Sequence, residues 1–248
     1  MKTALRAINR FGSKSASAYR YPEPRHDLII EPFAGGAGYA LLHHRKRVLL
    51  LDVDPDVINV WKYLIGATTE EIMGLPLILP EQDVADLKCS EGGRLLISWC
   101  LNQTATPRKK LSSWGVFHGD RACYWGARRR KQSAVIAARV KHWRAELADY
   151  RTAPDAEATW FIDPPYMDGG SHYRHSHVDY SELSAWCRSR RGQPIVCERA
   201  GATWLPFSPL YSAPTMRRFS SSRRRCAESV WLGDGVGPAQ SRLFPESA

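Results

Sequence analysis

Residues 27–38 have the sequence DLIIEPFAGGAG, and this stretch decides the fold. Its apolar run predicts a short buried strand that ends at Glu31, and its glycines predict a tight turn into a helix. Residues 47–52 have the sequence RVLLLD, a continuous apolar run typical of parallel strands that are covered on both faces. A strand, a glycine-rich turn, a helix and a second strand predict the opening of a doubly wound α/β sheet.

The alternation of strands and helices stops at about residue 68 and resumes near residue 145. Between these points, the spacing of apolar residues over 128–147 predicts a helix. Further elements are expected as strands at 146–149, 158–163, 193–198, 215–219 and 229–232, and as a helix over 180–190. We therefore predict that residues 1–66 and 145–248 form one α/β domain, into which residues 67–144 are inserted.

The basic charge is concentrated in one part of the chain. The sequence has 35 Lys and Arg against 25 Asp and Glu, a formal net charge of +10. Residues 88–144 hold thirteen of the basic residues, and their acidic residues are Glu91 and Asp120. This density favours a nucleic-acid surface over the alternative, a solvated helical face. The candidate contacts in this segment are Arg108, Lys109, Lys110, Arg128, Arg129, Arg130 and Lys131. Arg223 and Arg224 belong to a second arginine-rich stretch, which is interpreted as a hairpin loop that contacts phosphate, with a solvated loop as the alternative.

The glycine-rich turn and Asp52 predict a cofactor site. The glycines in this turn let a ligand approach the backbone. The alternative explanation for the glycines is a tight strand-to-helix connection without a ligand. Asp52 ends the second strand, where a carboxylate can accept hydrogen bonds from ribose hydroxyls. Together these features indicate an adenosine-bearing cofactor. Glu31, at the end of the first strand, suits a cationic cofactor better than a pyrophosphate.

Residues 163–166 have the sequence DPPY and form the most informative motif. They follow an apolar strand, so they lie at the edge where doubly wound sheets bind ligands. The prolines fix the backbone and leave carbonyl groups without neighbouring N–H donors. Asp163 and the Pro164 carbonyl can therefore both accept from one exocyclic amino group, and Tyr166 can stack on a base. The alternative is a rigid turn without a binding role.

The chain resembles the Dam-like, alpha-group, D12 class of DNA adenine-N6 methyltransferases, in particular the phage-encoded type. The resemblance lies in the order of FGSK at 11–14, EPFAGGAG at 31–38, Asp52 and DPPY at 163–166. One departure is Ser13, where many relatives have a second glycine. The resemblance implies a Rossmann-like S-adenosylmethionine-dependent methyltransferase fold. In that fold the insert at 67–144 is a mainly helical target-recognition domain.

The resemblance also implies ligands and residue roles. The cofactor is S-adenosylmethionine, and the partner is double-stranded DNA. The catalytic residues, which would hold the amino group of a flipped adenine and stack on its ring, are Asp163, Pro164, Pro165 and Tyr166. The cofactor-binding residues are Phe11, Gly12, Lys14, Glu31, Phe33, Gly35, Gly36, Gly38, Asp52, Asp149, Tyr150 and Asp163.

Several expectations concern features that the sequence lacks. No CxxC pair occurs among the six cysteines and methyl transfer requires no metal, so no metal site is expected. The histidine-rich residues 171–177 fit no standard zinc spacing and are interpreted as a loop over the site. No apolar run approaches a membrane span and no apolar leader is present, so we expect a cytoplasmic protein. A separate expectation is that it is a monomer or a weak dimer.

Two other classes of function are compatible with the same residues. The first is a methyltransferase that acts on RNA adenine, cytosine N4 or a free nucleotide. The basic insert argues against a free nucleotide, and Asp163, rather than a serine, before the PPY sequence favours adenine over cytosine N4. The second is a catalytically silent DNA-binding protein on the same fold, against which the intact DPPY motif argues.

Overall fold

A computed structural model describes residues 5–10, 12–102, 105–111, 124–168, 177–214 and 225–233. Its strands are β1 (Leu28–Glu31), β2 (Arg47–Asp52), β3 (Arg144–Leu147), β4 (Ala158–Ile162), β5 (Gly192–Arg199), β6 (Ser208–Pro214) and β7 (Arg225–Leu232). They form one seven-stranded sheet in the order β3-β2-β1-β4-β5-β7-β6. The first five strands are parallel, and β7 is antiparallel to both β5 and β6. The prediction of a Rossmann-like methyltransferase fold is confirmed.

Local capping signals fix where several helices begin. The α-helices of the described residues are α1 (Gly38–Leu42), α2 (Pro55–Gly66), α3 (Thr69–Gly74), α4 (Glu91–Leu101), α5 (Ala127–Arg139) and α6 (Tyr180–Arg188). At the start of α2, the Asp54 side chain accepts from the Asp56 N–H, and a proline occupies the first turn. Thr68 and Glu71 form a capping box at the start of α3. Helix α2 therefore begins directly after β2 and holds the end of that strand in place.

Each face of the sheet carries its own apolar core. Ile29 belongs to one core and Ile30 to the other, since side chains alternate across a strand. Helices α2, α4 and α5 contribute to the first core, and α6 contributes to the second. Both faces are covered, which explains why the sequence of β2 is apolar without alternation.

The inserted segment packs into the same core as the sheet. The indole N–H of Trp99 on α4 donates to the Asp56 carbonyl of α2 at 3.4 Å. The ring of Trp143 lies 5.6 Å from that of Trp61, centroid to centroid. Among the described residues from 67 to 143, the regular structure is helical. The division into two domains at these boundaries stays a prediction.

The predicted helix over 128–147 is wrong at its carboxyl end. Helix α5 ends at Arg139, and the last four residues of the predicted helix form β3. They pair in parallel with Leu49–Asp52, where β2 would otherwise leave backbone groups without partners. Val140 and Trp143 continue the helical spacing, but they are buried in the turn between the two elements. The helix prediction is confirmed over 128–139, and the helical spacing beyond Arg139 does not correspond to a helix.

The predicted strands after β3 are found where the structure describes them. The strand expected at 158–163 is β4, and that expected at 193–198 lies within β5. The strand expected at 229–232 is the second half of β7. The strand expected at 215–219 lies outside the described residues.

Two of the predicted nucleic-acid contacts point into the protein. Arg129 is 2% exposed, and its guanidinium donates to the Ala7 carbonyl at 3.0 Å. Its assignment to a DNA surface is wrong, because this position of α5 faces the core. Arg130 donates through Nη1 to the carbonyls of Met73 and Leu75, at 3.2 and 2.9 Å. A cation at this place satisfies the free carbonyl groups at the end of α3.

Candidate active site

The carboxyl ends of β1, β2 and β4 meet at a cavity of about 820 Å³. The strand order reverses between β1 and β4, and ligands bind at such a reversal in doubly wound sheets. Of the predicted cofactor-binding residues, Phe11 lies outside the described residues. All the others line this cavity: Gly12, Lys14, Glu31, Phe33, Gly35, Gly36, Gly38, Asp52, Asp149, Tyr150 and Asp163. The cavity is also lined by Pro164, Pro165 and Tyr166, so the predicted cofactor and catalytic residues share one site.

The glycine-rich turn brings two backbone segments into contact. Gly35 has φ of 44° and Ala37 has φ of 43°, both in the left-handed region. A Cβ atom at Gly38 would lie only 2.5 Å from the Ser15 backbone nitrogen. The glycine therefore allows the segment that carries Lys14 to pack against the start of α1. Gly35 has more room, since the nearest atoms to its Cβ position would be 3.9 Å away.

Asp52 organises the same turn from the end of β2. One carboxylate oxygen accepts from the Gly35 N–H at 3.0 Å, and the other accepts from the Asp54 N–H at 2.9 Å. The Trp61 indole N–H donates to the Gly35 carbonyl at 2.9 Å. Burial raises the pKa of Asp52, while Arg10 and the two backbone donors oppose this shift. Each carboxylate oxygen can accept a further hydrogen bond, so the predicted role toward a ribose is compatible with this geometry.

Glu31 is a buried carboxyl group on the wall of the cavity. It is 2% exposed and accepts from the Ala40 N–H at 2.7 Å. Burial raises its pKa to about 8, an effect that the Ala40 hydrogen bond and Lys14 only partly oppose. A cation in the cavity would favour the ionised form of such a group. Glu31 therefore fits the predicted cationic cofactor.

Part of the cavity wall is aromatic. The Phe33 and Tyr150 rings are stacked, with centroids 5.4 Å apart and an interplanar angle of 29°. Beside them, the Asp149 carboxylate forms a bidentate pair with the Arg151 guanidinium, at 2.7 and 2.9 Å. Hydrogen bonds from Arg151 lower the pKa of Asp149. Tyr150 is therefore placed by packing, and Asp149 is held as a carboxylate.

Lys14 and Asp163 form an ion pair at the centre of the site. Lys14 Nζ lies 2.7 Å from Asp163 Oδ1 and 4.8 Å from the centroid of the Tyr166 ring. Burial by itself would lower the pKa of Lys14, but Asp163 and Glu228 outweigh it, so the pKa lies above its usual value. Lys14 is therefore a cation. It holds the carboxylate that the sequence predicts to bind an amino group.

Other residues hold the backbone of the DPPY motif. The Tyr180 hydroxyl donates to the Pro165 carbonyl at 2.7 Å. The Met167 N–H donates to Glu198, a carboxyl group with 0% exposure at the end of β5, at 3.3 Å. The Pro164 carbonyl accepts no hydrogen bond from any residue that the structure describes. It is thus available as the predicted acceptor of an amino group.

Glu228 contacts two residues that line the cavity, Lys14 and Tyr166, and the sequence does not predict it. It is 5% exposed and accepts hydrogen bonds from the hydroxyl groups of Tyr21, at 2.9 Å, and Tyr166. Lys14 Nζ lies 3.6 Å from the same carboxylate. Glu228 follows Tyr166 by 62 residues and lies within no motif, so no sequence signal connects the two.

The comparison with known families agrees with this geometry. Residues 18–87 match the D12 class N6 adenine-specific DNA methyltransferase family. The matched segment contains β1, the glycine-rich turn, Asp52 and α2, and the DPPY motif lies beyond it. The match supports an adenine methyltransferase family for this chain. The search of curated proteins found no match.

The basic surface stays a prediction, and the structure describes seven of its nine residues. Arg108, Lys109 and Lys110 are exposed in the segment that follows α4. Arg128 and Lys131 are exposed on α5, beside the inward-facing Arg129 and Arg130. Arg223 and Arg224 lie outside the described residues. Five of the nine predicted contacts are thus free to face a polyanion.

The described residues show no membrane-spanning helix and no metal-binding cluster. Within the described ranges, no helix is both long enough and apolar enough to cross a membrane. The part of the chain that the structure describes contains no group of three or more His, Cys, Asp or Glu residues that could hold a metal ion. Of the histidine-rich residues 171–177, only His177 is described, and it lines the cavity.

Proposed function

We propose that this protein is a DNA methyltransferase that transfers a methyl group from S-adenosylmethionine to the N6 amino group of adenine. One observation carries the proposal. Asp163, which is paired with Lys14 beside the Tyr166 ring, shares a cavity with Glu31 and Asp52. Groups suited to an amino substituent and groups suited to a cationic nucleoside thus lie in one site. The family match over residues 18–87 supports the same activity.

The cavity has the size and the donor set for the cofactor. Its volume of about 820 Å³ is within the range of small-molecule sites. Asp52 would accept from ribose hydroxyls, Glu31 would balance the positive charge, and the Phe33 and Tyr150 rings would lie against the adenine. When bound, S-adenosylmethionine supplies an electrophilic methyl group on a sulfonium.

The chain's own residues would orient the acceptor. The amino nitrogen of adenine is a poor nucleophile because its lone pair is delocalised into the ring. Hydrogen bonds from the amino group to Asp163 and to the Pro164 carbonyl would hold it and favour localisation of the lone pair. Asp163 already accepts from Lys14, but a carboxylate has about four acceptor positions. Transfer then depends on positioning and electrostatics, and no covalent enzyme intermediate is needed.

Access to adenine requires the base to leave the duplex. We include base flipping in the proposal, with the Tyr166 ring as the surface on which the extruded base stacks. The exposed basic residues at 108–110, Arg128 and Lys131 would neutralise backbone phosphates. We also propose a phage-encoded origin, because the insert between residues 101–103 and 143–144 resembles phage-encoded members of the family.

The proposal is tested by methylation of DNA in a host strain without its own adenine methylation. Expression of the wild-type chain should produce N6-methyladenine at a defined sequence, and Asp163→Ala should produce none. In vitro, transfer of labelled methyl groups to duplex DNA, RNA and nucleotides separates the substrates. Detection of N4-methylcytosine would show that cytosine is the substrate. Labelling of RNA alone would show that RNA is the substrate. Either result would contradict adenine in DNA. DNA binding without any methylated base would indicate the catalytically silent alternative.

A further inference from the structure

Glu228 is a buried carboxylate for which the proposed reaction has so far no use. It lies on β7, opposite Arg199 of β5 and Tyr211 of β6. A carboxylate at 5% exposure is stable only when it is paired, and here Tyr21, Tyr166 and Lys14 provide the partners. Two of these three partners, Lys14 and Tyr166, belong to the predicted methyl-transfer site. Glu228 therefore contacts the site directly.

Glu228 restrains the Tyr166 side chain at its far end. The backbone of Tyr166 follows two prolines and is fixed from one side. The Tyr166 hydroxyl donates to Glu228, and the same Oε1 atom accepts from Tyr21 at 2.9 Å. A tyrosine held at both ends has little freedom to rotate, so the face of its ring toward the cavity is set by Glu228.

Glu228 also restrains the cation beside Asp163. Lys14 Nζ lies 3.6 Å from Glu228 Oε1, 2.7 Å from Asp163 Oδ1 and 4.8 Å from the centroid of the Tyr166 ring. The ammonium group is thus shared between two carboxylates and lies over the ring. Without Glu228, Lys14 would keep one carboxylate partner, and the geometry around Asp163 would be less constrained.

We propose that Glu228 is a positioning residue for methyl transfer, which holds Tyr166 and Lys14 around Asp163 so that the base-binding face exists before DNA binds. This inference rests on the proposed function. Glu228 acts through Tyr166 and Lys14 and does not contact the base. Its value to the reaction is that the ordering of these side chains is completed during folding, and not at the moment of reaction.

The negative charge of Glu228 has a second consequence. Burial raises the pKa of Asp163; Lys14 opposes this shift, and Glu228 adds to it as a like charge. The titratable groups that face Asp163 come from several elements: Lys14 and Tyr21 before β1, Glu31 on β1, Tyr166 after β4, Cys197 on β5 and Glu228 on β7. Neutralising Glu228 should therefore lower the pKa of Asp163. The acid limb of the rate profile should move to lower pH, because Asp163 accepts the amino hydrogen bond as a carboxylate.

The experiment compares Glu228→Ala, Glu228→Gln, Tyr166→Phe and the double variant Tyr166→Phe/Glu228→Ala. Tyr39→Phe is the matched control, since it removes a tyrosine hydrogen bond, to the Pro22 carbonyl, that does not involve Glu228. Single-turnover methylation is measured on a duplex that contains the site methylated by the wild type, with saturating S-adenosylmethionine. Cofactor affinity by calorimetry and thermal midpoints are measured for every variant.

Glu228→Ala should slow single-turnover methylation by about 10- to 100-fold, the scale of a hydrogen bond to a charged group. Glu228→Gln should recover part of the rate, because its amide oxygen still accepts from Tyr166, and should show the shifted acid limb. Tyr166→Phe should cost less in the Glu228→Ala background than alone, since the two residues act through one hydrogen bond. Cofactor affinity should stay within about 2-fold of the wild type for all variants, a change of less than 0.5 kcal/mol.

Three results would overturn the inference. These are a normal rate in Glu228→Ala, additive effects in the double variant, or a loss of rate that is matched by equal losses of cofactor affinity and thermal midpoint. If Glu228→Ala does not fold, Glu228→Gln and Tyr166→Phe carry the same test. Absence of DNA methylation by the wild type would overturn the proposed function, and this inference with it. Methylation by the wild type together with one of the three results above would overturn this inference alone.

Discussion

Lys14 and Asp163 are 149 residues apart in the sequence, and their Nζ and Oδ1 atoms are 2.7 Å apart in the folded chain. Lys14 comes from the segment before β1, and Asp163 follows β4 at the reversal of strand order. The two side chains are 8% and 21% exposed, so their charges must be compensated within the protein, by each other and, for Lys14, also by Glu228. The acceptor that we propose for the target amino group is therefore held by a residue from the segment before β1, the strand next to β4.

Asp163→Ala should abolish methyl transfer and leave most of the cofactor affinity. The carboxylate is expected to orient the amino group, and loss of one preorganised polar contact costs on the order of 10²-fold or more in rate. Methyl transfer and calorimetry with S-adenosylmethionine provide the two readouts. Turnover close to that of the wild type would contradict the proposed mechanism.

Asp52→Ala should weaken cofactor binding. It removes the predicted ribose acceptor and also the partners of the Gly35 and Asp54 N–H groups. Calorimetry should show a loss of roughly 1.5–3 kcal/mol, the range for hydrogen bonds to charged groups. Asp52→Asn is the control, because its amide oxygen can keep one of the two backbone contacts. An unchanged affinity in Asp52→Ala would exclude this carboxylate from the cofactor site.

Gly38→Ala should destabilise the protein through the contact between α1 and the Lys14 segment. The added Cβ would lie 2.5 Å from the Ser15 nitrogen and 2.7 Å from the Lys14 carbonyl carbon. Overpacking of this kind costs about 1–3 kcal/mol, measured by denaturant unfolding. Gly66→Ala is the matched control, since nothing lies within 4 Å of its Cβ position. Equal stability of the two variants would show that the segment does not need the close approach.

Titration of Glu31 should lower the free energy of unfolding of the cofactor-free protein as the pH rises. Burial raises its pKa from 4.5 to about 8 in the folded state. Between these values the unfolded chain has lost the proton that the folded chain keeps, so the free energy of unfolding falls with rising pH. Glu31→Gln lacks this titration. Its stability relative to the wild type should grow across that window by up to about 1.4 kcal/mol per pH unit. A difference that does not change between pH 5 and pH 8 would contradict the prediction.

Arg128→Gln and Lys131→Gln together should weaken DNA binding and flatten its salt dependence. Both side chains are exposed on α5, and each lost phosphate contact should reduce the log–log salt slope by about 0.9. Arg144→Gln is the control, an exposed basic residue that pairs with Glu146 on the edge strand β3. DNA titrations at several salt concentrations provide the measurement. An unchanged slope would remove α5 from the DNA surface and leave residues 108–110 as the next candidates.

Arg129 should affect the stability of the protein and should not affect DNA binding directly. Its guanidinium is buried and bonded to the Ala7 carbonyl, so Arg129→Met should lower the thermal midpoint, and any loss of DNA binding should follow from that. The basic run at 128–131 was predicted as one surface. Successive residues of a helix point about 100° apart, so four of them cannot all face the same partner.

The sequence by itself determined the architecture and most of the cavity. Continuous apolar runs, a glycine-rich turn and capping residues are local signals. Parallel strands place their carboxyl ends at one edge of the sheet, and this does not depend on the conformation of the loops. The order of β1, β2 and β4 was therefore sufficient to bring Glu31, Asp52 and Asp163 together. The prediction of a helix over 128–147 is wrong at its carboxyl end, because those residues pair with β2. The spacing of apolar residues in a short segment gives no information about such a long-range contact.

The tertiary structure alone decided which charges are paired and which are exposed. Lys14 was predicted as a cofactor residue, and only the packing of its segment against Gly38 directs its ammonium to Asp163. Glu228 reaches Tyr166 because β7 lies beside β5, a pairing across a long connection that carries no motif. The physical reason is desolvation. A buried charge is stable only beside a counter-charge, and the fold determines which part of the chain provides it.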